Sequence, residues 1–262
     1  METARTVAHV SDLHYGRDAA TERACERLRD ALLTARVDDV LITGDVTDRG
    51  RADEWDRFSR CFAPLRDRTI VVPGNHDRLG DDAASQMMGA RVEAVSRRGL
   101  HVVCADSTAL HNRGLLEGHG ELTPGDLDDL ERAALAAPPE ALVIVALHHH
   151  PLPLPPEGIG ERLSNLFGWP YAAELTRGRE LVARLCGICD VIASHGHRHA
   201  ESASTLPARD GRPLRVRNAG CTPDLGRVRC VTHARGKILS EGWIDTAPAR
   251  LRPSRVPVPV AA

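Results

Sequence analysis

The chain has 262 residues, 42% of them apolar and 27% charged, a globular balance that suits one large α/β domain or two small ones. Basic and acidic side chains number 34 and 36, and the resulting formal net charge of −2 argues against a protein held to nucleic acid or an anionic membrane by bulk electrostatics. No apolar run reaches the roughly 18 residues that a membrane-spanning helix needs, so stable membrane insertion is not expected. The opening "METARTVAHVSDLH" lacks the basic and apolar regions of a secretory signal, and a cytoplasmic location is expected. The seven cysteines are odd in number and irregular in spacing, which suits reduced thiols; the lone CxxC, Cys186 to Cys189, has no second pair to complete a zinc site. Aromatic residues make up only 3%, so the core must rest on Val, Leu, Ile and Ala.

Along the chain, "TVAHVS" (6–11) reads as a strand and "AATERACERLRDALLTAR" (19–36) as an amphipathic helix. "DVLIT" (39–43) is a second strand, "ADEWDRFSRCFAPL" (52–65) a helix, "TIVVP" (69–73) a third strand and "LHVVCAD" (100–106) a fourth. "TPGDLDDLERAALAA" (123–137) has a Thr cap, a Pro in the first turn and acidic residues near its start. The nearly continuous apolar run "EALVIVAL" (140–147) predicts a central strand. "PLPLPPEGIGERLSNLFGWPY" (151–171) reads as a long loop shaping a substrate pocket. "RELVARLCG" (179–187) is helical and "DVIASH" (190–195) a strand; "PLRVRNAG", "RVRCVTH" and "KILSEGWI" close the chain with β character. The early alternation predicts parallel pairing covered by helices, and the late strands predict antiparallel pairing, together a sandwich-like α/β fold. The domain is expected over 1–247, with a Pro-rich tail over 248–262.

Polar residues of one chemistry follow these strands. "DLH" places Asp12 and His14 two apart after the first, where strand periodicity would point them to one side. Asp45 follows the second strand in "GDVTDRG", and Asn75 and His76 follow the third in "GNHD". His148, His149 and His150 follow the central run, and "HGHRH" (195–199) follows the strand at 190. Each block alone is as readily an ordinary turn or a solvated histidine run. Together they bring carboxylate, amide and imidazole to the strand ends, where α/β sheets bind ligands. That donor set, free of cysteine, suits two divalent ions such as manganese, iron or zinc, which could clamp the oxygens of an in-line displacement at phosphorus.

In this order "DLH", "GDVTD", "GNHD", "HHHP" and "GHRH" resemble the five motif blocks of the calcineurin-like metallophosphoesterases, over about three quarters of the chain. The resemblance implies a four-layer αββα sandwich with mixed parallel and antiparallel sheets. It implies one ion on Asp12, His14, Asp45 and His199, and another on Asp45, Asn75, His148 and His197, with Asp45 bridging. Ungapped, the first residue of the triple-histidine run is the ligand; a one-residue shift would make it His149. His76 resembles the family's catalytic histidine, with Asp48 orienting it. Asn75, His76 and Arg49 would meet the substrate phosphate, with a surface arginine the equal alternative for Arg49. His150, His195, Asp77 and Arg198 are candidates for supporting positions.

"LHHHPLP" and "GELTPGDLDDLERA" are most similar to bacterial class III cyclic-nucleotide phosphodiesterases. The implied function is hydrolysis of phosphodiesters, with 3',5'-cyclic nucleotides leading, by attack of a metal-bridging hydroxide. A phosphomonoesterase, a hydrolase of lipid or nucleotide pyrophosphates, and a non-catalytic binding scaffold are the alternatives. The expected partner is a small phosphate ester rather than nucleic acid, and assembly as a homodimer is left open.

Overall fold

The computed structural model describes residues 3–114, 118–154, 175–188, 190–207 and 213–247. The tail over 248–262, most of the loop over 151–171 and Cys189 of the CxxC lie outside them. The six described cysteines are free thiols.

Five strands make the first sheet: β1 (Arg5–Val10), β2 (Asp39–Thr43), β3 (Thr69–Val72), and the late β10 (Arg227–Ala234) and β11 (Lys237–Asp245), in the order β11-β10-β1-β2-β3. The second has six: β4 (Val92–Arg97), β5 (Leu100–Ala105), β6 (Leu142–Ala146), β7 (Val191–His195), β8 (Ser202–Leu206) and β9 (Leu214–Asn218), in the order β4-β5-β6-β7-β9-β8. Pairing is parallel through β1-β2-β3 and through β5-β6-β7-β9. It is antiparallel at β10, β11, β4 and β8. β9 departs from the expected antiparallel finish by lying parallel to β7. β4 and β8 escaped the sequence reading because edge strands bury little and carry a weak apolar pattern, "VEAVSR" and "SASTL".

The helices fall in two groups. α1 (Ala19–Thr34) starts where Asp18 accepts the Thr21 amide at 2.7 Å. α2 (Ala52–Cys61) stops earlier than its apolar pattern suggests, because Pro64 opens a 3-10 turn. α3 (Pro124–Leu135) carries the predicted cap: the Asp126 amide donates to Thr123 Oγ1 at 3.1 Å, and Asp126 Oδ2 accepts the Thr123 amide at 2.8 Å. α4 (Gly178–Leu185) and a short α5 (Thr222–Leu225) complete the described helices.

Strand alternation divides the apolar side chains among three interfaces. Val40 and Ile42 pack outward on Leu28, Leu32, Phe58 and Phe62 of the α1/α2 layer. Leu41 and Val7 face inward onto Val102, Ile144 and Ile192 of the second sheet. Val143 and Val145 turn the other way, onto Leu127, Leu130, Leu181 and Leu185 of the α3/α4 layer. The result is a four-layer αββα sandwich. Among the described residues, the apolar clusters of its inner interface and its α3/α4 interface contain no Phe, Tyr or Trp, as the scarcity of aromatics requires. No helix among the described residues is long and apolar enough to cross a membrane.

One polar tie joins the sheets at the end where β2 begins. Asp39, buried at 1% exposure, accepts from Arg97 of β4 at 2.7 Å and from Arg5 of β1 at 3.1 Å. Asp39→Ala would leave two guanidiniums facing each other without their shared carboxylate. The expected loss is about 2–3 kcal/mol, the solvent contact of both arginines moderating the full buried-pair penalty. Urea unfolding monitored by circular dichroism would measure it; an unchanged midpoint would show the tie to be dispensable.

Candidate metal centre

Five parallel strands end at one rim, and the segment after each delivers part of one cluster. Asp12 and His14 follow β1, Asp45 follows β2, Asn75 and His76 follow β3, His148 follows β6, and His197 and His199 follow β7. The first two segments extend the ladder beyond the strands proper: the amides of Asp12, His14 and Tyr15 donate to the carbonyls of Gly44, Asp45 and Val46 at 3.1, 2.9 and 2.8 Å.

Asp12 and His14 converge, but not through the strand pleat. Both lie past the end of β1 with left-handed backbone, φ +54° and +44°, as do Asp45 at +49° and His197 at +68°. Each costs roughly 1–3 kcal/mol in a non-glycine residue and persists only where its surroundings fix it. Two glycines make the close approaches feasible. A Cβ on Gly44 (φ +87°) would stand 2.4 Å from His148 Nδ1, and one on Gly196 would stand 1.8 Å from Ser11 Oγ and 2.6 Å from Asp12 Oδ2.

The donor atoms face one another. His14 Nε2 and His199 Nε2 are 3.4 Å apart, Asp12 Oδ1 is 3.8 Å from His199 Nε2, and Asp45 Oδ2 is 4.0 Å from His14 Nε2. On the other side, His148 Nε2 lies 3.3 Å from Asp45 Oδ2 and 3.1 Å from Asn75 Oδ1, and His197 Nδ1 is 3.0 Å from the same Asn75 oxygen. Asp45 thus adjoins both groups. Donors about 2.1 Å from a common ion stand roughly 3–3.5 Å apart, so these spacings suit coordination. Asp12 Oδ1 is buried without a hydrogen-bond partner, a vacancy in the bonding that a cation would satisfy. Asp12, His14 and His199 form one group able to hold a metal ion, and Asp12, Asp45 and His148 another. His199 is half exposed while its partners are buried, so the cluster opens to solvent on its side.

His148 is the member of the triple run that meets Asp45 and Asn75. Its Nδ1 donates to the Thr43 carbonyl at 2.7 Å, which turns Nε2 toward the cluster. His149 instead places Nδ1 2.9 Å from Ser107 Oγ. Asp48 contributes to two histidines by different atoms. His76 Nδ1 lies 2.7 Å from the Asp48 carbonyl, while the Asp48 carboxylate lies 3.5 Å from His14 Nδ1. Asp48, expected to orient His76, bonds it through the backbone carbonyl, with a carboxylate oxygen also within 4.8 Å of a His76 nitrogen. Arg49 stands 75% exposed, 3.7 Å from the other Asp48 oxygen.

Support beneath the cluster was only partly visible in the sequence. The buried Asp77 carboxylate accepts from the amides of Gly74, Thr47 and Val46 at 2.9, 2.8 and 3.2 Å and from Thr47 Oγ1 at 2.6 Å, tying the Asp45 segment to the Asn75 segment. Arg78 bonds Thr108 Oγ1 and pairs with Asp106, fastening "GNHDR" to the end of β5. Neither Ser107 nor the Arg78–Asp106 pair carries a sequence signal, since both depend on which strands become neighbours. His195 and His150 are buried and held well below the usual imidazole range, chiefly by burial, at about 4 and about 3.

Residues 5–201 match the sequence profile of the calcineurin-like phosphoesterases. The chain belongs to that family, and so to the hydrolases of phosphoric esters. It is 29% identical over 242 residues to a Rhodococcus erythropolis protein named "Probable cyclic nucleotide phosphodiesterase", covering 84% of this chain and 72% of that one. It is 28% identical to a cAMP/cGMP dual specificity phosphodiesterase of Mycobacterium tuberculosis, over 91% of this chain and 76% of that one. The match to the 3',5'-cyclic adenosine monophosphate phosphodiesterase CpdA of Pseudomonas aeruginosa is 34% over 134 residues, 51% of this chain and 46% of the enzyme. In fold, the chain is similar to a dimetal phosphatase from Danio rerio, with a TM-score of 0.61 at 13% identity over 93% of this chain and 99% of that one.

The electrostatics yield a linkage. Burial disfavours charge on His148, but Asp45 and Asp12 overcome it and raise its pKa to about 9. Burial works on Asp45 in the opposite sense, yet His148 and His76 hold it well below the usual carboxylate range. Metal-free His148 therefore carries a proton at pH 7, and a cation taking its Nε2 must displace that proton. Metal uptake should release about one proton through His148. This contribution makes affinity fall up to about tenfold per unit as pH drops below about 9, and it levels off above. Titration calorimetry in buffers of different ionisation enthalpy would count the protons; none released would contradict this charge balance.

Proposed function

We propose that this chain is a dinuclear metal-dependent phosphodiesterase, with 3',5'-cyclic nucleotides as its leading substrates. The observation that carries the reading is the convergence of seven donors from five strand ends, with Asp45 between the two groups. The names of the similar cyclic-nucleotide phosphodiesterases support the choice of substrate.

Asp12, His14, Asp45 and His199 would hold one divalent ion. Asp45, Asn75, His148 and His197 would hold the other. When bound, the ions supply Lewis acidity toward the phosphoryl oxygens and lower the pKa of water at the site. The protein's own part is to hold this geometry before substrate arrives, since donors fixed in place cost no reorganisation during the reaction. Asn75 serves two histidine nitrogens with one oxygen, which orients its amide nitrogen away from them.

His76 is the proposed acid. Its Nδ1 proton is engaged by the Asp48 carbonyl, leaving Nε2 as the atom available to substrate. As imidazolium it would donate from Nε2 to a phosphoryl oxygen or to the departing oxygen. Its ring stands edge-on to His14, centroids 4.7 Å apart, which places it beside the first cation position. The Asp48 carboxylate would steady His14 rather than His76. Exposed Arg49, beside the Asp48 carboxylate, would meet a phosphate arriving from solvent.

A paired assay tests the reading. The manganese-loaded protein should cleave a chromogenic bis-aryl phosphate diester faster than the matching monoester, and should hydrolyse cyclic AMP or cyclic GMP. Asp45→Ala should lose metal and activity together. His76→Ala should retain two ions while kcat falls by about 10²–10⁴. Faster monoester cleavage would make the chain a phosphatase. Silence on every ester with both ions bound would make it a non-catalytic member of the fold.

A further inference from the structure

His199 is the one exposed member of the proposed ligand set, with half of its side chain open to solvent. Packing fixes such a ring poorly, so its direction depends on the main chain that carries it. That main chain is gripped by the turn that follows β9. Asn218, fully buried at the end of β9, donates from its amide nitrogen to the carbonyls of Arg198 and Ala200, each at 2.8 Å. The two bonds hold the chain on either side of His199. The Asn218 oxygen accepts the Gly220 amide at 3.1 Å, so only one orientation of the side-chain amide satisfies all three partners. The Cys221 amide reaches the carbonyl of His199 itself at 2.9 Å, and the Ala219 amide reaches that of His195 at 3.0 Å. Gly220 leaves room for this contact, since a Cβ there would stand 2.7 Å from the His199 carbonyl oxygen.

The same turn fastens the Asp12 segment. Cys221 Sγ lies 3.2 Å from the Asp12 carbonyl oxygen, the Thr222 amide donates to the Ser11 carbonyl at 3.1 Å, and Thr222 Oγ1 accepts the Ser11 amide at 3.0 Å. One turn therefore ties Asp12 of the first sheet to His199 of the second. His197, two residues earlier, has separate support. Its amide donates to Asp12 Oδ2 at 3.2 Å, and its ring centroid lies 5.2 Å from that of His148 and 5.7 Å from that of His150.

We propose, on the two-ion reading above, that Asn218 is a positioning residue for His199 and sets the affinity of the first cation position, that of Asp12, His14, Asp45 and His199. An apolar side chain would fill the same space but leave the two carbonyls without these donors. An aspartate would turn an oxygen toward them. A neutral amide that reads in sequence as an ordinary strand-end turn residue thus belongs to the machinery of the site.

The test uses the full chain, made metal-free and titrated with manganese against a competing chelator that resolves two sites. His199→Ala marks the first position as the site it weakens. Asn218→Ala should weaken that same site by about 10–100-fold and leave the other unchanged. The effect passes through the imidazole, so adding Asn218→Ala to His199→Ala should cost little or nothing more. Asn218→Ser, whose hydroxyl can keep one of the two bonds, should fall between wild type and Asn218→Ala. A general structural role would instead move both sites together and add in full to His199→Ala.

Unchanged affinity at the first site, equal losses at both, or full additivity in the double variant overturns the positioning role while the two-ion reading stands. Should Asn218→Ala fail to fold, Asn218→Ser decides by the same criteria. A wild type that binds fewer than two ions, or a His199→Ala chain that binds both as tightly as wild type, overturns the underlying reading, and this inference with it.

Discussion

Lone pairs repel when they are buried face to face. In this molecule His14, His199, Asp12 and Asp45 direct such atoms at one another across 3.4–4.0 Å. Desolvation makes the arrangement costlier still, because Asp12 Oδ1 has been taken from water without receiving a donor in return. A positive charge among them reverses the sign of the interaction. The proton on His148 provides part of that charge in the metal-free protein, drawn there against its burial by Asp45 and Asp12. Divalent ions would provide more of it.

Such a cluster needs a scaffold that does not yield. Four of the seven proposed ligands sit in left-handed backbone, a conformation that their side chains disfavour. The restraint comes from beneath. Asp77 receives three amides and a hydroxyl, locking the Asp45 turn to the Asn75 turn. Three apolar interfaces supply the stabilisation that the rim consumes, and they do so without aromatic bulk across the middle of the sandwich. The close approach at Gly196 shows how little room remains: one methyl group there would meet both Ser11 and Asp12.

The sequence makes some of this legible and hides the rest for identifiable reasons. Apolar runs revealed the strands with buried faces, β1, β2, β3, β5, β6 and β7 among them, because burial demands aliphatic side chains. It did not reveal β4 or β8, whose exposure releases that demand. The donor residues stood out because carboxylates, amides and imidazoles recur after successive strands. Their support did not. Ser107 lies 41 residues from His148 in sequence, and Arg78 lies 28 from Asp106. Such partners become visible only when strand order brings β5 beside β6 and the end of β3 near both. Asp48 shows a finer limit. Its place near His76 was read from the motif, but the contacting atom is a carbonyl oxygen, which no residue type can announce.

The two ends of the sandwich divide the work. Where the parallel strands finish, the chain must turn, and turning frees backbone and side chains to bend toward a common point. Two sheets facing each other bring two such sets of turns together. Asp12, Asp45 and Asn75 come from one sheet; His148, His197 and His199 come from the other. Neither sheet alone holds the full set, so any cation bound there also joins the sheets. Near the opposite end Asp39 joins them by a salt bridge among β1, β2 and β4. Removing metal should therefore loosen the rim while leaving the far tie intact. The binding site and the stability of the sandwich are coupled through the gap between the sheets, not through either sheet's own hydrogen-bond ladder.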